Sequence, residues 1–181
     1  MHLSPVIQKF VLHWGEMGTR WGVNRTVAQV HALLYVSPQP LNAEEIAQTL
    51  SVARSNVSTS LRELESWGIV KAVHLLGDRR EHYQSMTDVW EMARVIFAER
   101  KRREIDPTLT QLRECVAEIK EAGRDDAVAR QRLLEMLTFL ETLSSLYDEI
   151  HRMPTGAIRG LLKVPGKVGK VRKLFGAKPP G

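Results

Sequence analysis

The fold is decided by the stretch from Asn42 to Ser85, which reads NAEEIAQTLSVARSNVSTSLRELESWGIVKAVHLLGDRREHYQS. Asn42 and Glu45 have the spacing of a capping box, which predicts a short helix over residues 43–50. A second helix is predicted over residues 54–67, after a tight connection of three residues. Its apolar residues recur at the helical spacing i, i+4 and i+7, at Val57, Leu61 and Leu64.

Beyond the second helix the periodicity changes from helical to alternating. Gly68 occupies the position just past a helix end that favours glycine. Residues 69–75 are rich in β-branched side chains and roughly alternate, which predicts a strand. Residues 77–80 form a turn, and residues 81–85 return as the partner strand. The order helix, tight turn, helix, strand, turn, strand is that of a winged helix-turn-helix, so we expect a mainly α-helical protein with a small β-hairpin wing.

Further helices are predicted on both sides of this segment. Apolar residues at helical spacing predict them over residues 4–17, 25–36, 89–105, 108–122 and 127–152. Asp106 followed by Pro107 has the pattern of an N-cap with proline at the first helical position, so a new helix is expected to begin there. The last two helices carry more apolar surface than a small winged domain covers, which favours burial against a second subunit, although they can also pack on the first helix.

The chain is expected to have three parts. Residues 1–88 form the N-terminal helix and the winged helix-turn-helix domain. Residues 89–153 form a helical dimerisation region, and residues 154–181 form a basic, mostly disordered tail.

The second helix of the pair has the side chains of a DNA recognition helix. Small or hydrogen-bonding residues cluster opposite its apolar stripe, and these are Arg54, Ser55, Asn56, Ser58, Thr59 and Arg62. Small polar residues allow close approach to the major groove, where asparagine pairs with adenine and arginine with guanine. The alternative is that serine and threonine merely occupy the exposed side of an amphipathic helix.

The turn between the two strands predicts the tip of a wing. Arg79 and Arg80 can reach phosphates or enter the minor groove beside the recognition helix. Gly77 and Asp78 have a structural role, with Asp78 placed to pair with Arg80 and hold the turn. Taken alone, two arginines in a turn are also typical of a solvated loop.

These residues resemble a known family. The stretch from Ala43 to Asp88 is similar to the MarR superfamily, whose wing pattern is Asp-x-Arg followed after five residues by a Leu-Thr-like pair. Here the pattern is carried by Asp78, Arg80 and the pair Met86-Thr87, with methionine in place of leucine.

A wider stretch resembles the GbsR-like branch of that superfamily. It includes Trp14-Gly-Glu-Met-Gly18, Asn24-Arg-Thr26 and the wing Gly77-Asp-Arg-Arg-Glu-His-Tyr83, and it covers about two thirds of the chain. The resemblance implies a homodimeric, cytoplasmic, ligand-responsive transcription regulator, usually a repressor. It does not extend to the basic tail.

Aromatic residues suggest where a small-molecule effector could bind. Five of them could meet near the first helix, namely Trp14, Trp21, Tyr35, Trp67 and Trp90. An aromatic cage binds quaternary ammonium groups, and the GbsR-like resemblance implies choline-like effectors for some members. The alternative is that these residues are ordinary core and interface aromatics.

The net charge of +5 comes from the C-terminal end. Of the 26 lysines and arginines, eight lie in residues 152–181, where no acidic residue occurs; the remaining 18 face 21 acidic residues, so residues 1–151 carry a net charge of −3. Overall basicity is therefore no argument that the body binds nucleic acid. The tail favours a flexible arm that attracts DNA phosphates. A membrane-surface role for Ile158–Phe175 is the alternative, against which Pro165 and the glycines count.

Other classes of function find little support. Cys115 is the single cysteine, which excludes an internal disulfide, and we expect it to be a buried, inert thiol. The six histidines lack metal-ligand spacing, so no metal site and no cofactor is expected. No transmembrane segment, signal peptide or catalytic motif is recognisable. We expect a cytoplasmic, sequence-specific double-stranded DNA-binding regulator, not an enzyme; the alternative is a protein-interaction adaptor or an architectural DNA-binding protein.

Overall fold

The structure, a computed structural model, describes residues 3–121 and 127–163. Its elements in chain order are α1 (Pro5–Arg20), α2 (Arg25–Val36), β1 (Leu41–Asn42), α3 (Ala43–Leu50), α4 (Arg54–Ser66), β2 (Val70–His74), β3 (Glu81–Ser85), α5 (Val89–Arg100), α6 (Asp106–Glu121), α7 (Ala127–Arg152) and α8 (Thr155–Lys163). A π-helical turn, Lys101–Ile105, joins α5 to α6. The chain divides into two compact units, residues 1–96 and 97–181. The division therefore falls within α5, eight residues beyond the expected boundary at residue 88.

The first unit is built around α2. Every residue from Val27 to Leu34 is buried, so this helix is surrounded on all sides. The core around it is completed by apolar side chains from the other elements, including Leu41, Ile46, Val57, Leu61, Leu64, Ile69, Val70 and Met92. Met92 belongs to α5, so the beginning of that helix is part of the winged unit.

The predicted capping box is present at the start of α3. The side-chain oxygen of Asn42 accepts hydrogen bonds from the backbone N–H groups of Glu44 and Glu45, both at 3.0 Å. The Glu45 carboxylate accepts from the backbone N–H of Asn42 at 2.9 Å. The turn to α4 follows at Ser51, which has a left-handed backbone with φ of 55°. Reciprocal capping therefore fixes where the helix-turn-helix begins.

The wing belongs to a sheet of three strands rather than to an isolated hairpin. The strand order is β1-β3-β2, and both pairs are antiparallel. In the register, Val70 faces Ser85 and His74 faces Glu81. The short strand β1 was not predicted, and it pairs Asn42 with His82. This pairing ties the base of the wing to the residue that caps α3.

Two glycines let α1 lie close against α2. A Cβ atom at Gly18 would lie 2.5 Å from the Cβ of Ala28, and one at Gly15 would lie 2.6 Å from Cγ of Gln29. The Cβ of Ala28 is fixed by its backbone, so the contact requires glycine at position 18, whereas a side chain at position 15 would force the Gln29 side chain to shift. The helix α1 reaches Arg20, one turn farther than predicted.

The second unit departs from prediction at its first helix junction. Asp106 is not an N-cap, because its backbone is helical (φ −62°, ψ −42°) and its N–H donates to the carbonyl of Lys101, five residues back. A π-turn adds one residue to the helical repeat just before Pro107, whose ring and missing N–H disrupt ordinary helical bonding. The junction is therefore a π-helical turn and not a new helix start.

The helices α6 and α7 pack against each other in the second unit. Leu109, Leu112 and Val116 are buried on α6, and the Arg113 guanidinium binds the Glu141 carboxylate of α7 at 2.8 Å. Cys115 is half-buried rather than buried. Residues 155–163 form α8, whereas disorder was expected from residue 154 onward. The rest of the expected tail, residues 164–181, lies outside the described residues.

Candidate nucleic-acid interface

The helix α4 separates its apolar and polar residues onto two sides. Val57, Leu61 and Leu64 are at most 1% exposed and anchor the helix in the core. Of the six predicted contact residues, five are exposed and Ser58 is half-buried; the exposed ones are Arg54, Ser55, Asn56, Thr59 and Arg62. The structure thus brings all six together on one helix, with their polar groups directed away from the core. No acidic residue occurs between Arg54 and Arg62.

The two arginines of the polar side of α4 make only long, exposed contacts with nearby residues. The Arg54 guanidinium lies 3.9 Å from the Glu44 carboxylate of α3, and its side chain is 72% exposed. Arg62 donates to the Thr59 hydroxyl at 3.3 Å and to the carbonyl of Ser58 at 3.4 Å. Contacts of this kind contribute little at an exposed position, so a phosphate or a base can replace them at small cost.

The wing turn is organised by Asp78. Its carboxylate accepts from the backbone N–H of Arg80 at 3.0 Å and from the Arg80 guanidinium at 3.0 Å. The hydrogen bonds from Arg80 hold the pKa of Asp78 well below its usual range, and the Asp78 carboxylate raises the pKa of Arg80. Gly77 supports the turn with a φ of +84°, a left-handed backbone that favours glycine. Asp78 and Arg80 therefore form the pair that the sequence indicates.

His82 belongs to this cluster, and the sequence analysis missed it. It is only 4% exposed, its Nδ1 lies 3.1 Å from the carbonyl oxygen of Arg80, and its Nε2 lies 3.6 Å from the Asp78 carboxylate. Asp78 and Arg80 lie in the turn before β3, and His82 is the second residue of that strand. Their contact depends on the conformation of the turn, so the local sequence pattern carries no signal for it.

The wing also has exposed residues at its tip and a half-buried tyrosine on β3. Arg79 is exposed, and Leu76 at the tip is fully exposed. Tyr83 on β3 is half-buried and donates to the Glu81 carboxylate at 3.0 Å. Burial and this carboxylate together raise the pKa of Tyr83 to about 12, so its phenol is neutral at physiological pH. The wing tip therefore offers two arginines: Arg79, which is exposed, and Arg80, which is paired with Asp78 yet 61% exposed.

The five aromatic residues of the expected effector pocket lie on different elements. Their positions are Trp14 on α1, Trp21 at its C-terminal end, Tyr35 on α2, Trp67 at the end of α4 and Trp90 at the start of α5. Tyr35 and Trp67 pack against the core of the first unit. The ring contacts of Trp14 and Tyr35 are with Phe10 and His31, which are outside the expected set. Trp21 and Trp90 are exposed, at 57% and 37%, so a pocket shared by all five stays a prediction.

Residues 3–121 and 127–163 contain no group of three or more histidine, cysteine, aspartate or glutamate side chains arranged to hold a metal ion. They also contain no helix that is both long enough and apolar enough to span a bilayer.

The exposed helix of a helix-turn-helix and the antiparallel wing define a winged helix-turn-helix protein. Comparison with known proteins agrees with this class. Residues 21–81 match the model of the MarR family. The HTH-type transcriptional repressor GbsR of Bacillus subtilis (strain 168) is 21% identical over 136 residues, which cover 74% of this chain and 75% of that protein.

A solved structure supports the fold. A crystal structure of a transcriptional regulator superposes with a TM-score of 0.64 at 20% identity, and the match covers 81% of this chain and 96% of that one. Residues 21–81 are therefore similar to the MarR family, and the chain resembles a transcriptional repressor over about three quarters of its length.

Proposed function

We propose that this chain is a sequence-specific repressor that binds double-stranded DNA as a homodimer. In this proposal α4 enters the major groove, and Arg79 and Arg80 of the wing contact the minor groove or the backbone. A small-molecule effector modulates the binding, as the similarity to the GbsR-like branch suggests. The observation that carries the proposal is the exposed face of α4, which has two arginines, an asparagine and small hydroxyl side chains and no acid before Glu63.

The chemistry of this face fits the major groove. Asn56 can pair with the edge of adenine, and Arg54 and Arg62 can pair with O6 and N7 of guanine. Ser55 and Thr59 are small enough for the helix backbone to approach the bases. Ala53 occupies the N-cap position without a side-chain hydrogen bond, so the first turn of α4 offers backbone N–H groups to a phosphate.

The apolar face of α7 supports the proposal that the chain forms a dimer with a second copy of itself. Five of its large apolar residues are exposed, and their spacing of eight, three, four and seven residues places them on one stripe: Val128, Met136, Phe139, Leu143 and Ile150. An apolar cavity of about 420 Å³ adjoins this stripe, lined in part by Phe97 and Tyr147. An exposed apolar surface of this extent is typical of a protein–protein interface. Two copies would present two recognition helices to successive turns of DNA.

Substitutions on α4 and the wing test the DNA-binding mode. We expect Asn56→Ala to reduce affinity for the cognate duplex by about ten-fold or more while changing affinity for a shuffled duplex little, because a base contact of this kind contributes ~1–3 kcal/mol.

Arg79→Ala should weaken binding to both duplexes and lower the salt dependence. Lys9→Ala on α1 removes the same charge from an exposed site and is the control. Loss of affinity for Lys9→Ala equal to that for Arg79→Ala would contradict the proposed wing contact.

A further inference from the structure

The outer end of the wing is a tight turn. The strands β2 and β3 pair over their full length, so residues 75–80 lie beyond the last paired residues. The backbone N–H of Asp78 donates to the carbonyl of Leu75 at 3.1 Å, which closes a four-residue turn with Leu76 and Gly77 at its centre. Gly77 has a φ of +84°, as the third residue of a type II turn requires. Backbone geometry therefore holds Leu76 at the tip of the wing.

The fold does not explain why a leucine stands at this position. The exposed fraction of Leu76 is 108%, whereas Leu75 beside it is 40% exposed. The second position of such a turn accepts proline and polar residues, so the turn itself requires no apolar side chain there. A fully exposed leucine also gains nothing from burial. A partner that covers Leu76 would supply that burial.

The charges around Leu76 indicate an anionic partner. Arg79 is exposed, and the side chain of Arg80 is 61% exposed. Asp78 is the one acidic residue in the sequence from 66 to 80, and its carboxylate accepts from the Arg80 guanidinium at 3.0 Å. The tip thus combines an apolar side chain with positive charge. It fits a surface that has negative charge outside and space for an apolar group inside.

We propose that Leu76 enters the minor groove of the bound duplex and inserts between two neighbouring base pairs, while Arg79 contacts a phosphate beside them. The minor groove is about 6 Å wide, which is too narrow for a helix and wide enough for the tip of a turn. Leucine is one of the apolar residues that proteins insert between base pairs there, and the insertion unstacks the step and bends the duplex. This inference rests on the proposed DNA-binding function and adds a bend in the DNA to it.

The geometry of the wing favours insertion into DNA. Unstacking a base step costs free energy, and a side chain that is already held in place loses little freedom when it inserts. The bonds from Arg80 to the Asp78 carboxylate hold the turn in the free protein. A protein partner would have to offer acidic side chains to both arginines, whereas duplex DNA has phosphates along both edges of the minor groove.

Binding and bending of the duplex upstream of the gene, measured with the full-length protein, test the proposal. Fluorescence anisotropy at several salt concentrations gives the affinity, and energy transfer between dyes at the two ends of the duplex gives the bend. Leu76→Ser keeps every charge, so we expect it to reduce the affinity by about five-fold or more, to leave the salt dependence unchanged and to bend the duplex less. Leu76→Met keeps a long apolar side chain and should bind and bend nearly as the unaltered chain does. Val89→Ser, at a residue 55% exposed at the start of α5, is the matched control and should change neither quantity.

Each other outcome overturns the proposal. It is wrong if Leu76→Ser binds as tightly as the unaltered chain, if it bends the duplex as much, or if Leu76→Met is as weak as Leu76→Ser. A lower salt dependence for Leu76→Ser also contradicts it, because the lost contacts would then be those of arginines with phosphates. If the unaltered chain binds no duplex, the proposed repressor function fails too, whereas binding that Leu76→Ser leaves unchanged contradicts the insertion alone. Thermal unfolding checks that each variant is folded, and Leu76→Ala decides by the same criteria if Leu76→Ser is not.

Discussion

At the scale of single residues, Asp78 determines the shape of the wing. Its carboxylate receives the backbone N–H and the guanidinium of Arg80 and lies near His82. We expect Asp78→Ala to reduce the preference for a cognate over a shuffled duplex by roughly three- to ten-fold, because the lost hydrogen bonds no longer hold the wing tip in one conformation. Fluorescence anisotropy with both duplexes measures this ratio.

Tighter DNA binding by Asp78→Ala would have a different cause. Removing a negative charge beside DNA can also strengthen binding, but it does so for every sequence alike. If Asp78→Ala binds both duplexes more tightly by the same factor, Asp78 acts only as a repulsive charge and the structural role assigned to it is wrong. Glu81→Gln, on the adjacent strand residue, is the control for a lost charge.

A buried histidine gives the protein a pH-dependent stability. His31 on α2 is 5% exposed, its Nε2 makes no hydrogen bond among the described residues, and burial lowers its pKa to about 4 from 6.5. The unfolded chain therefore binds this proton more readily than the folded one does. Stability from neutral His31 is complete above pH 6.5 and is lost as the pH falls toward 4. We expect a loss of about 1–3 kcal/mol in the free energy of unfolding across that window.

Urea unfolding at several pH values between 7.5 and 4.5 checks this prediction. His31→Gln removes the titrating group, so its free energy of unfolding should fall less steeply with acid. His74→Gln, at an exposed histidine of β2, should leave the slope unchanged. An identical acid dependence for His31→Gln and the unaltered chain would show that His31 is not the cause.

At the scale of elements, the contact between α1 and α2 depends on the absence of a side chain. Because a Cβ at Gly18 would meet the Cβ of Ala28 at 2.5 Å, we expect Gly18→Ala to destabilise the fold by about 1–3 kcal/mol. In an unconstrained helix the same change would be stabilising. Thermal and urea unfolding measure the difference.

A compensating substitution makes the test specific. Ala28→Gly removes the opposing Cβ, so the double variant Gly18→Ala with Ala28→Gly should recover part of the lost stability. If Gly18→Ala is neutral, or if the double variant is less stable than the two single effects added together, the helices do not meet through these two residues.

The success of sequence-based prediction differs among the elements for physical reasons. The bounds of α2, α3 and β3 follow from local signals, such as the capping box at Asn42 and the turn before Glu81, and those signals act within a few residues. The location of the six predicted contact residues on one side of α4 follows from the helical spacing of Val57 and Leu61, which are buried on the other side. These parts of the fold and site are predictable because short-range chemistry specifies them.

Other features depend on contacts that are distant in the sequence. The strand β1 has two residues and exists because Asn42 pairs with His82, forty residues away. The cluster of His82 with Asp78 needs the strand to be formed first. Asp106 has the local pattern of an N-cap, yet the helix continues through a π-helical turn. The aromatic positions could not be assigned to one pocket, because their convergence depends on the packing of four elements.

At the scale of the whole molecule, the apolar stripe of α7 should determine the assembly. Phe139 is 64% exposed at its centre. If a second copy covers the stripe, Phe139→Glu would bury an unpaired charge, and we expect the dimer to weaken roughly 100-fold. Sedimentation analysis over a range of protein concentrations measures the dissociation constant. Ser145→Glu adds the same charge to an exposed position on another side of α7 and should not weaken the dimer.

Dimer assembly and DNA binding are expected to be linked. A monomeric Phe139→Glu variant should also lose much of its affinity for a two-fold symmetric duplex, because one recognition helix replaces two. A variant that stays dimeric would show that α7 is not the interface. A monomer that binds such a duplex as tightly as the unaltered protein would show that dimerisation is not needed for recognition.

The proposed repressor function requires that the protein recognise a particular DNA sequence. The most direct test is fluorescence anisotropy of the full-length protein with the duplex upstream of its own gene and with a shuffled duplex, at low and at moderate salt. We predict a preference of at least about ten-fold for the native duplex that persists at the higher salt concentration. Equal binding to both duplexes that disappears as salt rises would contradict the claim, because it would leave only non-specific attraction between phosphates and basic residues.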